Sequence, residues 1–189
     1  KIKDGYIIAE AKKGLKGAKI KFPSISVGAT ENALLAAFGA SGQTTLTNCA
    51  IEPEILDLIS FLKKIGSKIN VSGRKIIIKR DHIKQKKIVH KIIFDRIEAG
   101  TYLLAGALSG KKVTLKNVIP KVMKYEVNIL KKMGVKILVN KNTITILKTR
   151  RLKKINISTK PFPGFPTDLQ AQLMVLMTQA YGVSKIKEN

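Results

Sequence analysis

The sequence predicts an α/β fold assembled from repeated βαβαββ units. Two observations carry this: apolar strand-like runs alternate with helical stretches that end at glycine, and the chain resembles itself at one fixed offset. Leu62-Lys63-Lys64-Ile65-Gly66-Ser67-Lys68-Ile69-Asn70-Val71 matches Leu130-Lys131-Lys132-Met133-Gly134-Val135-Lys136-Ile137-Leu138-Val139, with Gly66 and Gly134 lying 68 positions apart. The same offset carries Ile76 and Ile78 onto Ile144 and Ile146, and Ser41-Gly42 onto Ser109-Gly110.

In the first full unit, 18–80, a strand is predicted at Ala18–Phe22, a loop at Pro23–Gly28 and a helix at Ala29–Ala40. A strand at Thr44–Asn48, a helix at Glu52–Ile65 and a hairpin of Lys68–Val71 with Lys75–Lys79 complete it. Pro53 suits a first helical turn, where no N–H is needed. Gly66 suits the left-handed residue that closes a helix, and Ser72-Gly73 suits a tight hairpin turn. The second unit spans 87–147, and a third, 154–189, supplies a helix at Thr167–Tyr181 and a strand at Val183–Ile186. Gly5–Lys12 reads as the closing strand of a preceding unit, so the repeat is expected to be cut at both ends. The domain boundary is expected between 1–92 and 93–189.

Composition bounds the function. The chain has 189 residues, 44% of them hydrophobic, which is enough for a packed core. The longest apolar stretch, Ala33 to Ala40, is far too short to span a bilayer, and the first residues do not read as a signal peptide. No membrane association is therefore expected. The lone cysteine, Cys49, fits a reducing compartment and a small buried role. His82 and His90 have no partner at metal-ligand spacing, so neither a metal nor a cofactor is expected.

The net charge is +24, from 36 Lys and Arg against 12 Asp and Glu. Only Arg74, Arg80, Arg96, Arg150 and Arg151 are arginine, aromatics are 5% and Trp is absent. Nucleic-acid surfaces lean on arginine forks and aromatic platforms, so nucleic acid is an unlikely partner and the lysines read as solvated faces. The field still favours small anions.

The candidate site residues fall where each unit's first strand feeds its first helix. In Ser24-Ile25-Ser26-Val27-Gly28-Ala29-Thr30, backbone N–H groups at a helix start suit an anion, or Ser26 or Thr30 simply caps the helix. In the second loop, Asp95 with Arg96 and Glu98 reads as helix-start carboxylates with an ion pair, or as residues that order a cleft. In the third, Pro163-Gly164-Phe165-Pro166-Thr167-Asp168, Thr167 and Gln170 have capping-box spacing. Asp168 is either a dipole-favoured acid or a rigidly held proton acceptor.

GLKGA (14–18), SVGAT (26–30), EPEILD (52–57), DRIEAGTY (95–102) and PFPGFPTDLQAQ (161–172), in this order, resemble the enolpyruvyl transferase family, and within it the UDP-N-acetylglucosamine 1-carboxyvinyltransferases. The resemblance covers essentially the whole chain. It implies an inside-out two-domain α/β architecture of βαβαββ units, with the active site in a cleft between the domains. It implies transfer of the enolpyruvyl group of phosphoenolpyruvate to the 3-hydroxyl of UDP-N-acetylglucosamine in the cytoplasm, opening peptidoglycan synthesis. Ser24, Ile25, Ser26, Val27 and Gly28 would then bind the diphosphate, and Asp168 would hydrogen-bond the sugar hydroxyl and act as the base. Asp95, Arg96, Glu98 and Thr167 would order the cleft. Ser24 stands where relatives often carry lysine, and Cys49 where they usually carry alanine. The catalytic-cysteine loop would lie before Lys1, so the missing parts of its own two-domain chain are expected partners and the 189 residues alone are expected not to turn over. The sister shikimate-pathway transferase and a basic nucleic-acid-binding module are the alternatives.

Overall fold

The computed structural model describes residues 1–81, 87–149 and 151–188. His82 and Arg150, named above, lie outside them. The chain divides into two compact units, Lys1–Lys91 and Ile92–Asn189.

The first unit begins with a two-stranded antiparallel ribbon, β1 (Ile2–Lys3) and β2 (Tyr6–Ile7). The closing strand expected over Gly5–Lys12 is thus reduced to Tyr6–Ile7. The turn at Asp4-Gly5, both at positive φ, folds the chain back on Ile2 and Lys3, Ile8 exchanges hydrogen bonds with Lys1, and residues 9–12 form no strand. Then come β3 (Lys19–Lys21), α1 (Val27–Gly39), β4 (Gln43–Thr47), α2 (Pro53–Ile65), β5 (Ser67–Ser72) and β6 (Lys75–Arg80). They form one four-stranded sheet in the order β3-β4-β6-β5, with β3 parallel to β4 and the other pairs antiparallel. Helix α2 buries Ile55, Ile59 and Leu62, an i, i+4, i+7 stripe, and the alternating Ile76 and Ile78 of β6 are buried with them.

The second unit contains α3 (Arg96–Ser109), β7 (Val113–Lys116), α4 (Lys124–Lys132), β8 (Ile137–Val139) and β9 (Thr143–Ile146), in a sheet ordered β7-β9-β8. Ile144 and Ile146 are fully buried, as their counterparts Ile76 and Ile78 are. Gly66 and Gly134 both hold φ in the left-handed region, 118° and 89°, so the repeated glycine performs one task twice: it turns the chain out of a helix into a strand. Asn48 and Asn117, just past β4 and β7, are likewise both left-handed, at φ 61° and 60°.

The strand expected to lead into the second unit's first helix is not formed among the described residues. Residues 88–91 are held on α2 instead: His90 Nε2 lies 3.0 Å from Asp57 Oδ2, the Lys64 ammonium donates to Val89 O, and Phe61 packs on the His90 ring. The chain continues through β10 (Leu152–Lys153), β11 (Asn156–Ser158), a single 3-10 turn (Thr167–Leu169), α5 (Gln170–Thr178), β12 (Ala180–Tyr181) and β13 (Lys185–Lys187). Parallel pairs β10–β12 and β11–β13 flank α5. The helix expected over Thr167–Tyr181 is therefore a tight turn plus a shorter helix. No helix among the described residues is long and apolar enough to cross a membrane.

Candidate functional site

The loop before α1 is built as a cap. Ser26 is extended (φ −141°, ψ 126°), and its Oγ accepts from Ala29 N at 3.3 Å. The helix consequently starts at Val27, two residues before the expected Ala29. Thr30, fully buried, closes the arrangement: its hydroxyl donates to Ser26 O at 2.7 Å and accepts from Ala50 N at 3.0 Å. The N–H groups of Val27 and Gly28 belong to the first turn, where no intrahelical acceptor exists. A Cβ on Gly28 would meet nothing within 4 Å, so this turn presents open backbone. Ser24 is exposed, and Ile25 packs against the core of the first unit. Cys49 is fully buried, its carbonyl accepting from Arg74 at 2.9 Å. Burial pushes its thiol above its ordinary range, partly offset by a hydrogen bond from the Ile76 backbone and the Arg74 charge, which makes it a poor nucleophile.

In the second unit, Asp95 caps α3. Its Oδ1 accepts from Ile97 N at 2.7 Å and from Glu98 N at 3.1 Å. Asp95 and Glu98 are exposed and line a depression of about 330 Å³ with Tyr102 and Lys116. Arg96 turns inward to 7% exposure, with its guanidinium carbon 5.8 Å from the centre of the Phe162 ring.

Phe162 opens the third loop. Lys160 N donates to Phe165 O and Gly164 N to Pro161 O, both at 2.9 Å, folding the loop on itself. Phe165 and Leu169 are buried, whereas Thr167 and Asp168 are exposed between them. The carboxylate of Asp168 thus stands on a turn anchored at both ends. The capping box expected of Thr167 and Gln170 does not form. Pro166 takes the extended cap position (φ −72°, ψ 143°), which makes Thr167 the first helical residue and leaves its hydroxyl without a capping bond.

The structure brings the second and third loops together on α3. Arg96 meets Phe162, Gln172 Nε2 donates to Thr101 Oγ1 at 3.1 Å, and a Cβ on Gly100 would lie 2.4 Å from Leu169 Cδ1. Gly100, Thr101, Leu169 and Gln172 lie inside the DRIEAGTY and PFPGFPTDLQAQ stretches, but sequence gave them no role. Their partners lie about 70 residues away and only the fold reveals them. No group of three or more His, Cys, Asp or Glu among the described residues could hold a metal ion.

A family model described as EPSP synthase (3-phosphoshikimate 1-carboxyvinyltransferase) matches residues 1–189. The chain belongs to this family. Among its relatives, a UDP-N-acetylglucosamine 1-carboxyvinyltransferase of Pelagibacter ubique is 50% identical over 188 residues, 100% of this chain and 45% of that protein. One from Endomicrobium trichonymphae is 48% identical over the same share of each chain. The chain therefore spans about 45% of the length of these relatives. Among solved structures, the enolpyruvyl transferase NikO from Streptomyces tendae superposes with a TM-score of 0.76 at 24% identity, over 85% of this chain and 39% of that one. An EPSP synthase from Acinetobacter baumannii gives a TM-score of 0.59 at 23% identity, over 92% of this chain and 40% of its own. The fold of this enolpyruvyl-transferase-family chain is that of these enzymes.

Proposed function

We propose that this enolpyruvyl-transferase-family chain carries part of the machinery that moves the enolpyruvyl group of phosphoenolpyruvate onto the 3-hydroxyl of UDP-N-acetylglucosamine, with release of phosphate, in the cytoplasm. The observation that carries this reading is 50% identity across the whole chain to a relative named for that reaction. The reaction belongs to a protein of the relatives' full length.

Residues 24–28 are proposed to take the diphosphate, with the open first turn of α1 offering N–H groups and the positive end of its dipole. Asp168 is proposed to accept the hydroxyl proton. The buried anchors on both sides of Asp168 favour a fixed approach. Attack of that oxygen on the central carbon of the enolpyruvyl group, with a proton added to its methylene carbon, gives a tetrahedral adduct, and loss of phosphate together with a proton from the new methyl group restores the double bond. Asp95, Arg96, Glu98 and Thr167 are proposed to order the surroundings.

Calorimetric titration with UDP-N-acetylglucosamine and with shikimate 3-phosphate tests the substrate. Binding of the first alone, weakened at least about tenfold by D168A, is the expected result. Binding of shikimate 3-phosphate alone would move the assignment to the sister enzyme, and indifference to D168A would remove Asp168 from the site.

A further inference from the structure

A groove of about 630 Å³ lies between α4 and β11 in the second unit, and none of the residues proposed above for substrate lines it. Tyr125, Asn128, Ile129 and Lys132 stand at i, i+3, i+4 and i+7, so one face of α4 forms one wall. Val127 and Leu130, on the other side of that helix, are spent on the core. Ile129, Ile155 and Ile157 give the groove an apolar lining, and its charge is of one sign. Lys131, Lys132 and Lys160 line it, no acid does, and none of the three forms an ion pair among the described residues. The strand wall has an open edge. Among the described residues β11 pairs with β13 alone. Ile155 O and Thr159 N are bonded to Lys185 N and Lys187 O, and successive residues of a strand turn their main-chain groups to opposite edges. The N–H and C=O of Asn156 and the N–H of Ser158 therefore turn away from β13, and both residues line the groove. Past Ser158 the chain's own loop takes over this edge, with Lys160 N bonded to Phe165 O.

We propose that this groove is a docking site for a short, extended, acidic segment of a partner protein, which adds a strand to the open edge of β11. An occupant has three features to match: a donor and acceptor side by side on a strand edge, an apolar lining and uncompensated positive charge. A phosphodiester suits the lysines but offers no donor to the Asn156 carbonyl. A second copy of this chain carries the same net charge of +24 and is repelled. An extended peptide meets all three. Its backbone exchanges both main-chain bonds with Asn156 and accepts one from Ser158 N–H. Its side chains alternate between faces, so apolar ones rest against Ile129, Ile155 and Ile157 while acidic ones reach Lys131, Lys132 and Lys160. The site stands apart from the reaction proposed above and does not depend on it.

NMR titration of the full chain with a capped hexapeptide of alternating glutamate and valine tests this. Binding with a dissociation constant below about 1 mM is expected, weakening as salt rises, with the largest amide shifts at Asn128, Lys132, Asn156 and Ser158. Glutamine in place of glutamate in the peptide, or K132E and K160E together in the chain, should weaken it at least about tenfold. Methylating one set of alternate peptide nitrogens should abolish binding and methylating the other set should not, because only one edge of the added strand faces β11. That comparison leaves the protein untouched, so it decides the matter even where the lysine variant loses its dispersed spectrum. Citrate, an anion with no strand to add, should bind more weakly than the peptide. Absence of peptide binding at millimolar concentration, largest shifts elsewhere in the chain, or equal binding of the two methylated peptides would each overturn the proposal. Citrate binding at the same residues as tightly as the peptide would make the groove a small-anion site and overturn it as well.

Discussion

The contact between Gly100 and Leu169 makes the sharpest prediction, because a single methyl group should change the sign of its effect with its neighbour. A Cβ at position 100 would lie 2.4 Å from Leu169 Cδ1, 3.1 Å from Cδ2 and 3.4 Å from Cγ. Leu169 is fully buried, so it has little room to retreat. Overfilling such a site costs about 1–3 kcal/mol. Alanine in place of glycine inside a helix returns about 1 kcal/mol. The net effect of G100A is therefore a loss of about 1 kcal/mol. In an L169A chain, itself about 2–5 kcal/mol less stable, the obstructing atoms are gone and the same substitution should stabilise by about 1 kcal/mol. The coupling between the two sites comes to about 2 kcal/mol. Urea unfolding followed by circular dichroism reads this directly. With a slope of about 2 kcal/mol per molar, G100A should lower the midpoint by about 0.5 M, and adding G100A to L169A should raise it by a similar amount. A G100A chain as stable as the parent, or a change of the same sign in both backgrounds, would show that α3 and the Asp168 turn do not meet as described.

Two further predictions concern the first unit. T30V strips a buried hydroxyl that serves both Ser26 O and Ala50 N and leaves a buried N–H without an acceptor, so it should cost about 2–3 kcal/mol in urea unfolding, against about 1 kcal/mol for S26A; T30S should recover most of the loss, and a T30V effect no larger than that of S26A would contradict the linkage. Cys49 should resist iodoacetamide at pH 8 in the folded chain and react readily in urea. Its proton is also held more tightly folded than unfolded. The stability it contributes is fully present below the ordinary thiol value of 9.0 and is lost as pH rises from there through the raised folded value. The stability difference between parent and C49A should therefore fall between pH 8 and pH 10, and a pH-independent difference would refute it.

What sequence could show of this fold was whatever repeats locally. Helix α2 was legible because Ile55, Ile59 and Leu62 mark one stripe, Pro53 opens it and Gly66 closes it, all within fourteen residues. The β5–β6 hairpin was legible because apolar residues alternate on both sides of Ser72-Gly73. The strand expected to lead into α3 failed for a non-local reason. Residues 88–91 are apolar enough to pair, yet His90 and Val89 O find Asp57 and Lys64, more than twenty residues back, and the backbone follows them. The capping box at Thr167 failed because Pro166 sits in the cap position already, so spacing alone placed the hydroxyl one residue too late.

The candidate site divides along the same line. Asp95, Ser26 and Asp168 were readable as polar residues at helix starts, since each satisfies or suits a helix end by itself. What holds Asp168 in place was not readable, because each anchor joins one sequence stretch to another. Arg96 without Phe162 is a misplaced cation, Gly100 without Leu169 is a helix-weakening residue, and Thr101 without Gln172 is a hydroxyl returning to its own helix. Taken in pairs, the same residues form three successive contacts along one side of α3, at positions 96, 100 and 101, against residues 162, 169 and 172. Asp168 lies between the first and second of these partners, so displacement of its backbone requires at least one of the three contacts to open. Rigidity at this turn is therefore a property of α3 as much as of the loop that carries the acid, and substitutions on α3 should alter the position of Asp168 without touching it.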